Sequence, residues 1–464
     1  MALRSQSPMR RVLIANRGEI AVRVIRAVRE LGLESIAVHS SADRDGLAVK
    51  LADRAMEIGP AHAGKSYLNI EAVLRAANDS GADAVHPGYG FLSENADFAA
   101  AVENAGLIFV GPKADSIRLM GNKALARATA RSAGVPTVPG SESALSTLEE
   151  ATAAASAVGF PLMIKASAGG GGRGIRIVNS AAEFATQLAQ AQNEARAAFG
   201  DASVYLERYI AHARHIEVQI LGDGDDVVHL FERDCSLQRR RQKIFEETPA
   251  PLLPAATRAR LCASAVELAR AVNYRSAGTM EYLYDQEQDH FYFIEMNTRI
   301  QVEHPITEMV TGVDLVREML LIASGQRLRL RQMDISSRGA AIECRLNAED
   351  PERNFLPSPG TVSEYVPPGG PGVRVDSMLY PGAIVPPFYD SLLAKIVVWD
   401  ESRPAALSRM ARALSEMRLT GVKSTLALHI DLLADSSIAA GVYDTTTLER
   451  WIEARARPVA EGGK

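Results

Sequence analysis

The chain is organised around Phe291-Tyr292-Phe293-Ile294-Glu295-Met296-Asn297-Thr298-Arg299-Ile300-Gln301-Val302-Glu303-His304-Pro305. Read as extended backbone, it places Phe291, Phe293, Glu295, Asn297, Arg299, Gln301 and Glu303 on one side, because successive strand residues face opposite ways. Consecutive polar groups on one face line a site rather than a core, and Pro305 limits how far the strand can run. Just upstream, Gly278-Thr279-Met280-Glu281-Tyr282-Leu283-Tyr284 is β-branched and aromatic, and Asp285 to His290 reads as a turn, so the two segments predict a hairpin. That hairpin sets Glu281 next to Ile294 or Glu295. Two carboxylates so placed raise each other's pKa or need a cation between them. The hard cation that suits them is Mg2+, with substrate phosphates supplying other ligands. On spacing alone, the competing reading is a solvated edge hairpin with incidental charges.

Composition sets the frame. The 464 residues are 47% hydrophobic and 23% charged, which is ordinary for a globular chain of two to four domains. A net charge of −5 gives no electrostatic case for nucleic acid. Cys235, Cys262 and Cys344 have no paired spacing, which fits a reducing compartment and argues against structural zinc. The apolar run Val12 to Ala15 after Arg10 and Arg11 is too short for a signal-peptide core. No stretch approaches the length of a membrane span. The expectation is a soluble, cytoplasmic protein.

From the N-terminus, residues 11–15 read as a buried strand, Asn16 to Glu19 as a turn, and Ile20, Val24, Ile25, Val28 and Leu31 as one helix face. Gly32 ends the helix and Ser35 to His39 form a second strand. This βαβ unit predicts a parallel sheet and a Rossmann-like N-terminal domain of an α/β protein. Asn16-Arg17-Gly18 has one glycine where a dinucleotide fingerprint needs three, so Gly18 is read as a turn glycine. His86 through Asn95 is a loop dense in proline and glycine, which fixes its backbone.

From Gly121 the pattern shifts. A helix carries Lys123, and Phe160 to Ala166 is a strand ending in Lys165. The loop Ser167 to Gly174 follows, and then the alternating strand Ile175 to Val178. A glycine loop joining two strands is not a Walker loop, which opens a helix. Its backbone N–H groups can still close on phosphate oxygens as a mobile lid, with Lys165 as a point charge beside it. Val204 to Ile210 reads as an edge strand followed by a connection; adenine recognition at such a strand uses backbone groups, so the side chains alone do not show it. His215 to Ile220 alternates, with His215 on the polar face, either structural or a ribose contact. Arg239-Arg240-Arg241 with Lys243 is a solvated basic face or, beside phosphate, an anion site. Residues 255–272 and Leu315 to Ala323 read as helices. Beyond Gly325, short β runs separated by proline and glycine predict a mixed C-terminal domain, finished by two helices and a disordered tail after Glu453.

Several motifs together resemble biotin carboxylase, the ATP-grasp component of biotin-dependent carboxylases. They are Asn16 to Ile20, His86 to Asn95, Lys165 to Gly174, Arg233 to Ser236, Glu295 to Pro305 and Glu343 to Asp350. The resemblance runs over about residues 10–455. It implies a Rossmann-like domain (10–120), an ATP-grasp domain (121–335) with a lid at about 137–208, and a mixed, β-rich C-terminal domain (336–455), leaving 456–464 as a disordered tail. By the same resemblance, Lys123 and Lys165 hold nucleotide phosphates and Gly170, Gly171, Gly172, Arg173 and Gly174 form the lid loop. Glu207, Arg208 and Ile210 belong to the adenine strand, and His215 and Gln238 contact the ribose. Glu281, Glu295 and Asn297 hold Mg2+ or Mn2+. Lys243, Arg299, Gln301, Val302 and Glu303 form the bicarbonate pocket, and Tyr89 and Arg345 face biotin. Two positions depart from the pattern: Arg241 stands where many members have histidine beside the ribose, and Ala168 where a further glycine is common.

The implied chemistry uses Glu303 as base on bicarbonate, with Arg299 and Lys243 holding the anion. Attack on MgATP gives carboxyphosphate, which releases CO2 in a closed site, and Arg345 stabilises the biotin enolate. Another ATP-grasp ligase and a non-catalytic nucleotide-binding subunit are the alternatives; the Arg299 to Glu303 pocket and the C-terminal domain with Arg345 argue against the first, and the filled catalytic positions argue against the second. With no Met-Lys-Met for attached biotin, the expectation is a separate biotin carboxyl carrier protein and separate carboxyltransferase subunits, with a homodimer expected from the family.

Overall fold

The computed structural model describes residues 9–141, 143–166, 175–199 and 201–456. The chain divides into two compact units. One comprises Met1–Val135, Arg214–Tyr282 and Glu295–Lys464; the other comprises Pro136–Ala213 and Leu283–Ile294.

In the larger unit, β1 (Arg11–Ile14), β2 (Glu34–Ser40), β3 (Arg54–Gly59), β4 (Ala84–His86) and β5 (Ile108–Phe109) form a parallel sheet in the order β3-β2-β1-β4-β5. The connection from β1 to β2 is helix α1 (Gly18–Glu30), whose Ile20, Val24, Ile25 and Val28 are buried. This is the predicted Rossmann-like domain, and β4 ends at His86, where the proline- and glycine-rich loop begins. Asn95 closes that loop by accepting from Phe98 N at 2.8 Å, capping the helix Ala96–Asn104.

The second sheet of this unit positions the site. Its strands are β9 (Ala213–Asp223), β10 (Val227–Arg239), β11 (Gln242–Thr248), β12 (Arg275–Asp285), β13 (His290–Asn297), β14 (Ala340–Asn347), Val373–Ser377 and Leu392–Asp400. The order is β13-β12-β9-β10-β11-β14, then Leu392–Asp400 and Val373–Ser377. The C-terminal β runs therefore extend the same sheet, because β14 pairs antiparallel with β11. Ile342, Cys344, Leu346, Ile396 and Val398 bury one face against the helix Arg403–Glu416.

In the smaller unit, β6 (Leu162–Ala166), β7 (Ile175–Val178) and β8 (Val204–Arg208) form a sheet in the order β7-β6-β8. It packs on the helices Leu148–Val158 and Ala181–Phe199 through Leu162, Ile164, Leu188 and Leu206. The β6–β7 hairpin pairs Lys165 with Ile175, as the sequence predicted. β8 is the last strand of its sheet, though Gly140 and Leu145 bridge to its outer side. The lid glycines Gly170, Gly171, Gly172 and Gly174, with Ala168 and Arg173, lie outside the described residues, as do residues 457–464.

Three local expectations need correction. β13 stops at Asn297 rather than running to Pro305, and His304–Thr311 is a helix with proline in its first turn and Gly312 as its left-handed stop. Proline lacks only an N–H that a first turn leaves unpaired, so it opens this helix instead of ending a strand. Four helices, not two, finish the chain: Arg403–Glu416, Leu426–Leu433, Ser436–Ala440 and Thr447–Ala456. The last continues past Glu453, where a tail was expected. Among the described residues, no helix is long and apolar enough to cross a membrane.

Candidate active site

Lys243, near the start of β11, is the centre of the larger unit's polar network. Its Nζ lies 2.6 Å from Glu217 Oε2, 2.8 Å from Glu281 Oε1 and 2.8 Å from Glu303 Oε1. Neighbouring strands supply the carboxylates: Glu217 comes from β9 and Glu281 from β12, while Glu303 sits just before the helix His304–Thr311. Arg233 on β10 holds Glu217 through Nε at 2.6 Å and donates to Gln219 and Thr307 at 2.8 Å each. Both Glu303 and Arg233 are fully buried. Charges this deep persist only when paired and hydrogen-bonded.

Arg345 on β14 joins the network from the other side, with Nη2 at 2.9 Å from Glu303 Oε2 and Nε at 2.5 Å from Glu246 Oε1. Glu303 thus carries a cation on each oxygen. Burial pushes its proton affinity up, but Lys243, Arg345 and Arg233 override this and hold it well below the usual carboxylate range. Lys243 is the mirror case: burial opposes its charge, and Glu217, Glu281 and Glu303 push its pKa well up. Burial likewise raises Glu281, while Lys243 and His215 bring it down overall.

The segment after β13 forms a second layer. Arg299 donates from Nε to Glu94 Oε2 at 2.9 Å, from Nη1 to Gln301 Oε1 at 2.7 Å and from Nη2 to Asn297 Oδ1 at 2.9 Å. Gln301 Nε2 then reaches Glu281 Oε1 at 3.2 Å. The side chains converge because the chain turns after Asn297, not because an extended strand aligns them. His215 Nε2 sits 3.2 Å from Glu281 Oε2, and its Nδ1 lies 3.0 Å from Gln238 Nε2, which also donates to Cys235 O at 2.7 Å. Glu295, about 38% exposed, pairs with Lys123 Nζ at 3.6 Å.

Tyr89 connects from the proline-glycine loop. Its hydroxyl bonds Glu19, which pairs with buried Lys395 at 3.0 Å, and Lys395 donates to Val302 O at 2.8 Å. Asn16 Nδ2 fixes the loop by donating to Pro87 O and Tyr89 O, each at 2.7 Å. Arg241 lies exposed in the β10–β11 turn with positive φ. Of the basic run, Arg239 stacks on Phe355 and donates to Asn354, while Arg240 N donates to Glu449.

The smaller unit holds its own polar set. Lys165 on β6 is ion-paired with Glu207 on β8, and Arg208 N bonds Pro139 O at 2.8 Å. Ile210 follows β8, partly buried.

In the larger unit the structure gathers His215, Gln238, Lys243, Glu281, Asn297, Arg299, Gln301, Glu303 and Arg345 into one bonded network, with Lys123 and Glu295 as a separate pair. Sequence reasoning missed Glu217, Arg233, Glu246 and Lys395 as members. Glu217 shares His215's strand parity, and Lys395 is a lone charge in the apolar run Leu392 to Trp399, so a signal existed for both. Glu281, Glu295 and Asn297 offer only oxygen donors from two adjacent strands, a set suited to a hard divalent cation.

Comparison with known proteins gives a consistent match. Residues 8–117 match the family model described as biotin carboxylase, N-terminal domain; 122–331 match carbamoyl-phosphate synthase L chain, ATP binding domain; and 343–450 match biotin carboxylase C-terminal domain. Biotin carboxylase 1 of Bacillus subtilis is 51% identical over 444 residues, covering 96% of this chain and 99% of that protein. A crystal structure of a biotin carboxylase–βγ-ATP complex from Campylobacter jejuni superposes with a TM-score of 0.88 at 45% identity, covering 95% and 99% of the two chains. The biotin carboxylase domain dimer of Hydrogenobacter thermophilus 2-oxoglutarate carboxylase, solved with MgADP, ADP and bicarbonate, gives 0.88 at 46% identity, covering 97% and 100%.

Proposed function

The chain belongs to the biotin carboxylase family of ATP-dependent ligases, and we propose that it carboxylates biotin on a carrier protein with bicarbonate, through carboxyphosphate, as the first half-reaction of an acyl-CoA carboxylase of the acetyl-CoA type. The observation that carries this reading is Glu303 held between Lys243 and Arg345 at 2.8 and 2.9 Å, beside the Arg299–Gln301 pair.

This arrangement is a base stored in its ionised form. A bicarbonate anion drawn to Lys243 and Arg299 competes for the cations that depress Glu303, so its arrival raises the basicity of the carboxylate that must take its proton. The deprotonated bicarbonate attacks the γ-phosphorus of ATP and gives carboxyphosphate and ADP. Carboxyphosphate breaks into CO2 and phosphate, the phosphate takes the proton from the biotin ureido nitrogen, and Arg345, one hydrogen bond from Glu303, stabilises the enolate oxygen as that nitrogen attacks CO2; losing one such preorganised donor costs about 3–4 kcal/mol of barrier. Lys123, Lys165, Glu207, Arg208, Ile210, His215, Gln238 and Arg241 are assigned to the nucleotide, together with Gly170, Gly171, Gly172, Arg173 and Gly174. Lys243, Arg299, Gln301, Val302 and Glu303 are assigned to bicarbonate, and Tyr89 and Arg345 to biotin. Glu281, Glu295 and Asn297 would hold the Mg2+ or Mn2+, which offsets phosphate charge when bound.

The domains are assigned as 10–120, 121–335 with a lid at about 137–208, and 336–455; family-model matches over 8–117, 122–331 and 343–450 support a three-part division. The dimeric Hydrogenobacter domain supports a homodimer. The remaining partners are a biotin carboxyl carrier protein and carboxyltransferase subunits, in the cytoplasm. That relative's name also supports a second acceptor class, a 2-oxo acid such as 2-oxoglutarate, and the similarity to the biotin carboxylase subunit of pyruvate carboxylase adds pyruvate to that class.

The test is ADP release with MgATP, with and without bicarbonate and free biotin, beside Glu303→Gln. Release that requires bicarbonate, rises with biotin and collapses in the variant is expected. Release indifferent to both additions would point to another carboxylate substrate.

A further inference from the structure

Behind Arg345 lies a feature that the reaction above does not use. Glu246 on β11 and Glu343 on β14 are directly opposed in the antiparallel register. Opposed residues share a face of the sheet, with Cβ atoms about 5 Å apart. Both carboxylates are fully buried. Glu246 Oε1 accepts from Arg345 Nε at 2.5 Å. Among the described residues no hydrogen-bond donor reaches Glu246 Oε2 or either oxygen of Glu343.

The charged and titratable groups that act most strongly on the pair come from five elements packed around it. β11 supplies Lys243, β14 supplies Arg345 and Cys344, β10 supplies Cys235, the segment before His304 supplies Glu303, and the strand Leu392–Asp400 supplies Lys395. Lys243 is committed to Glu217, Glu281 and Glu303, and Lys395 to Glu19 and Val302 O. Among the described residues Arg345 is therefore the single cation bonded to the pair, and it also serves Glu303. Two opposed carboxylates in a dry interior with one shared cation cannot both stay ionised.

We propose that Glu246 and Glu343 form a one-proton carboxylate pair, with the proton on Glu343, that acts as a positioning device anchoring Arg345 through Nε. The charge pattern agrees. Burial, against the partial relief of Arg345 and Lys243, raises Glu246 to about 7, and burial raises Glu343 well above the usual carboxylate range. With its proton retained, Glu343 places no second negative charge behind Arg345. The guanidinium keeps its Nη groups for Glu303 and, on the reading of Arg345 given above, for biotin. A hydroxyl on Glu343 donating to Glu246 Oε2 accounts for two of the three orphaned oxygens, and the third is left as the carbonyl oxygen of a neutral acid, which costs far less to bury than a carboxylate.

Difference infrared spectroscopy of the full-length enzyme in D2O at pD 7.5 tests this without reference to activity. A carbonyl stretch of a protonated carboxylic acid is expected in the wild type and should be lost in Glu343→Gln; if that variant does not fold, Glu343→Leu serves for the same comparison. A wild-type spectrum without the band, or a band that survives substitution of Glu343, overturns the pair. In the kinetic arm, Glu246→Gln should lower kcat/KM for biotin roughly 10- to 100-fold, the usual cost of losing an outer-shell partner, while the KM for ATP holds. An unchanged kcat/KM for biotin would overturn the anchoring role. Failure of biotin to stimulate ADP release in the wild type, with the band present, would count against the proposed function and not against the pair.

Discussion

Lys243 bonds three carboxylates at once, so its removal differs from the loss of an ordinary surface lysine. Lys243→Gln leaves Glu217, Glu281 and Glu303 mutually repelling at a buried point, with Arg233 and Arg345 as the remaining nearby cations. Removing one partner of a buried ion pair typically costs about 3–5 kcal/mol. Lys243→Gln is therefore expected to lower the urea midpoint as well as activity, whereas Glu303→Gln, which removes a charge from a crowded set, should lower activity with a smaller stability loss. Equilibrium unfolding of the two variants beside wild type checks the order. Lys243→Arg is not expected to rescue, because a planar fork cannot replace three donors on a compact ammonium. At this scale the sequence singled out Glu303, Arg299 and Arg345, and the structure brings all three into one bonded network. Strand parity hinted at Glu217, but that Arg233 would support it was not legible, since pairing across β9 and β10 is a property of register.

The elements behave as levers on these residues. The loop after β4 holds Tyr89 through Asn16, and Gly88 makes this possible: its φ is +63°, and a Cβ there would lie 2.9 Å from Asn16 Nδ2 and 3.1 Å from Ile20 Cγ1. Gly90, with a similar φ of +68°, has open space around it. Gly88→Ala is expected to raise the KM for biotin and to lower stability by more than the strain of a left-handed residue alone, about 1–3 kcal/mol. Gly90→Ala should carry only that strain. Thermal melts with biotin-dependent ADP release separate them, and equal behaviour of the two would mean that Asn16 does not set the loop. The early end of β13 teaches the complementary point. An alternation of polar residues suggested extended backbone to Glu303, but the chain leaves the sheet at Asn297, and Arg299 bonds both Asn297 and Gln301 from the turn. Period-two spacing on a short segment does not distinguish a strand from a turn that gathers the same side chains.

Across the larger unit, buried titratable groups of opposite habit make stability depend on pH in a specific way. Burial drives His86 down to about 3 and His429 down to about 4, and burial with nearby cations holds His304 well below its ordinary 6.5. As pH falls below 6.5 the unfolded chain binds protons that these native histidines refuse, so each loses up to about 1.4 kcal/mol per pH unit. Glu19, Glu246 and Glu343 are shifted upward from 4.5, with burial the largest cause, so between about 4.5 and 6.5 they favour the native state as pH falls and oppose the histidines. Below 4.5 the unfolded chain protonates at these positions too and the compensation ends. There the histidines, joined by Glu303 and Asp376, whose paired cations outweigh burial and hold them low, all act against the fold. Melting temperature should be nearly flat from pH 6.5 to 4.5 and fall steeply below; differential scanning fluorimetry across that range checks it, and a steep loss beginning at 6.5 would show that the raised carboxylates are ionised.

The sequence by itself determined the βαβ start, the strands β6 and β7 on either side of the glycine run, and most of the polar side chains that the fold gathers around Lys243, because local periodicity, turn chemistry and residue type are written along the chain. Only the tertiary structure decided that β14 would join β11 and bring Arg345 against Glu303 and Glu246. It also decided that Lys395, a lone charge in an apolar strand, would find Glu19 and the Val302 carbonyl. These partners lie far apart along the chain, and no local pattern encodes which strand edge pairs with which. Burial then fixes the protonation of Glu246, Glu343 and Glu303, since a carboxylate's charge in a dry interior depends on which cations the fold has placed beside it.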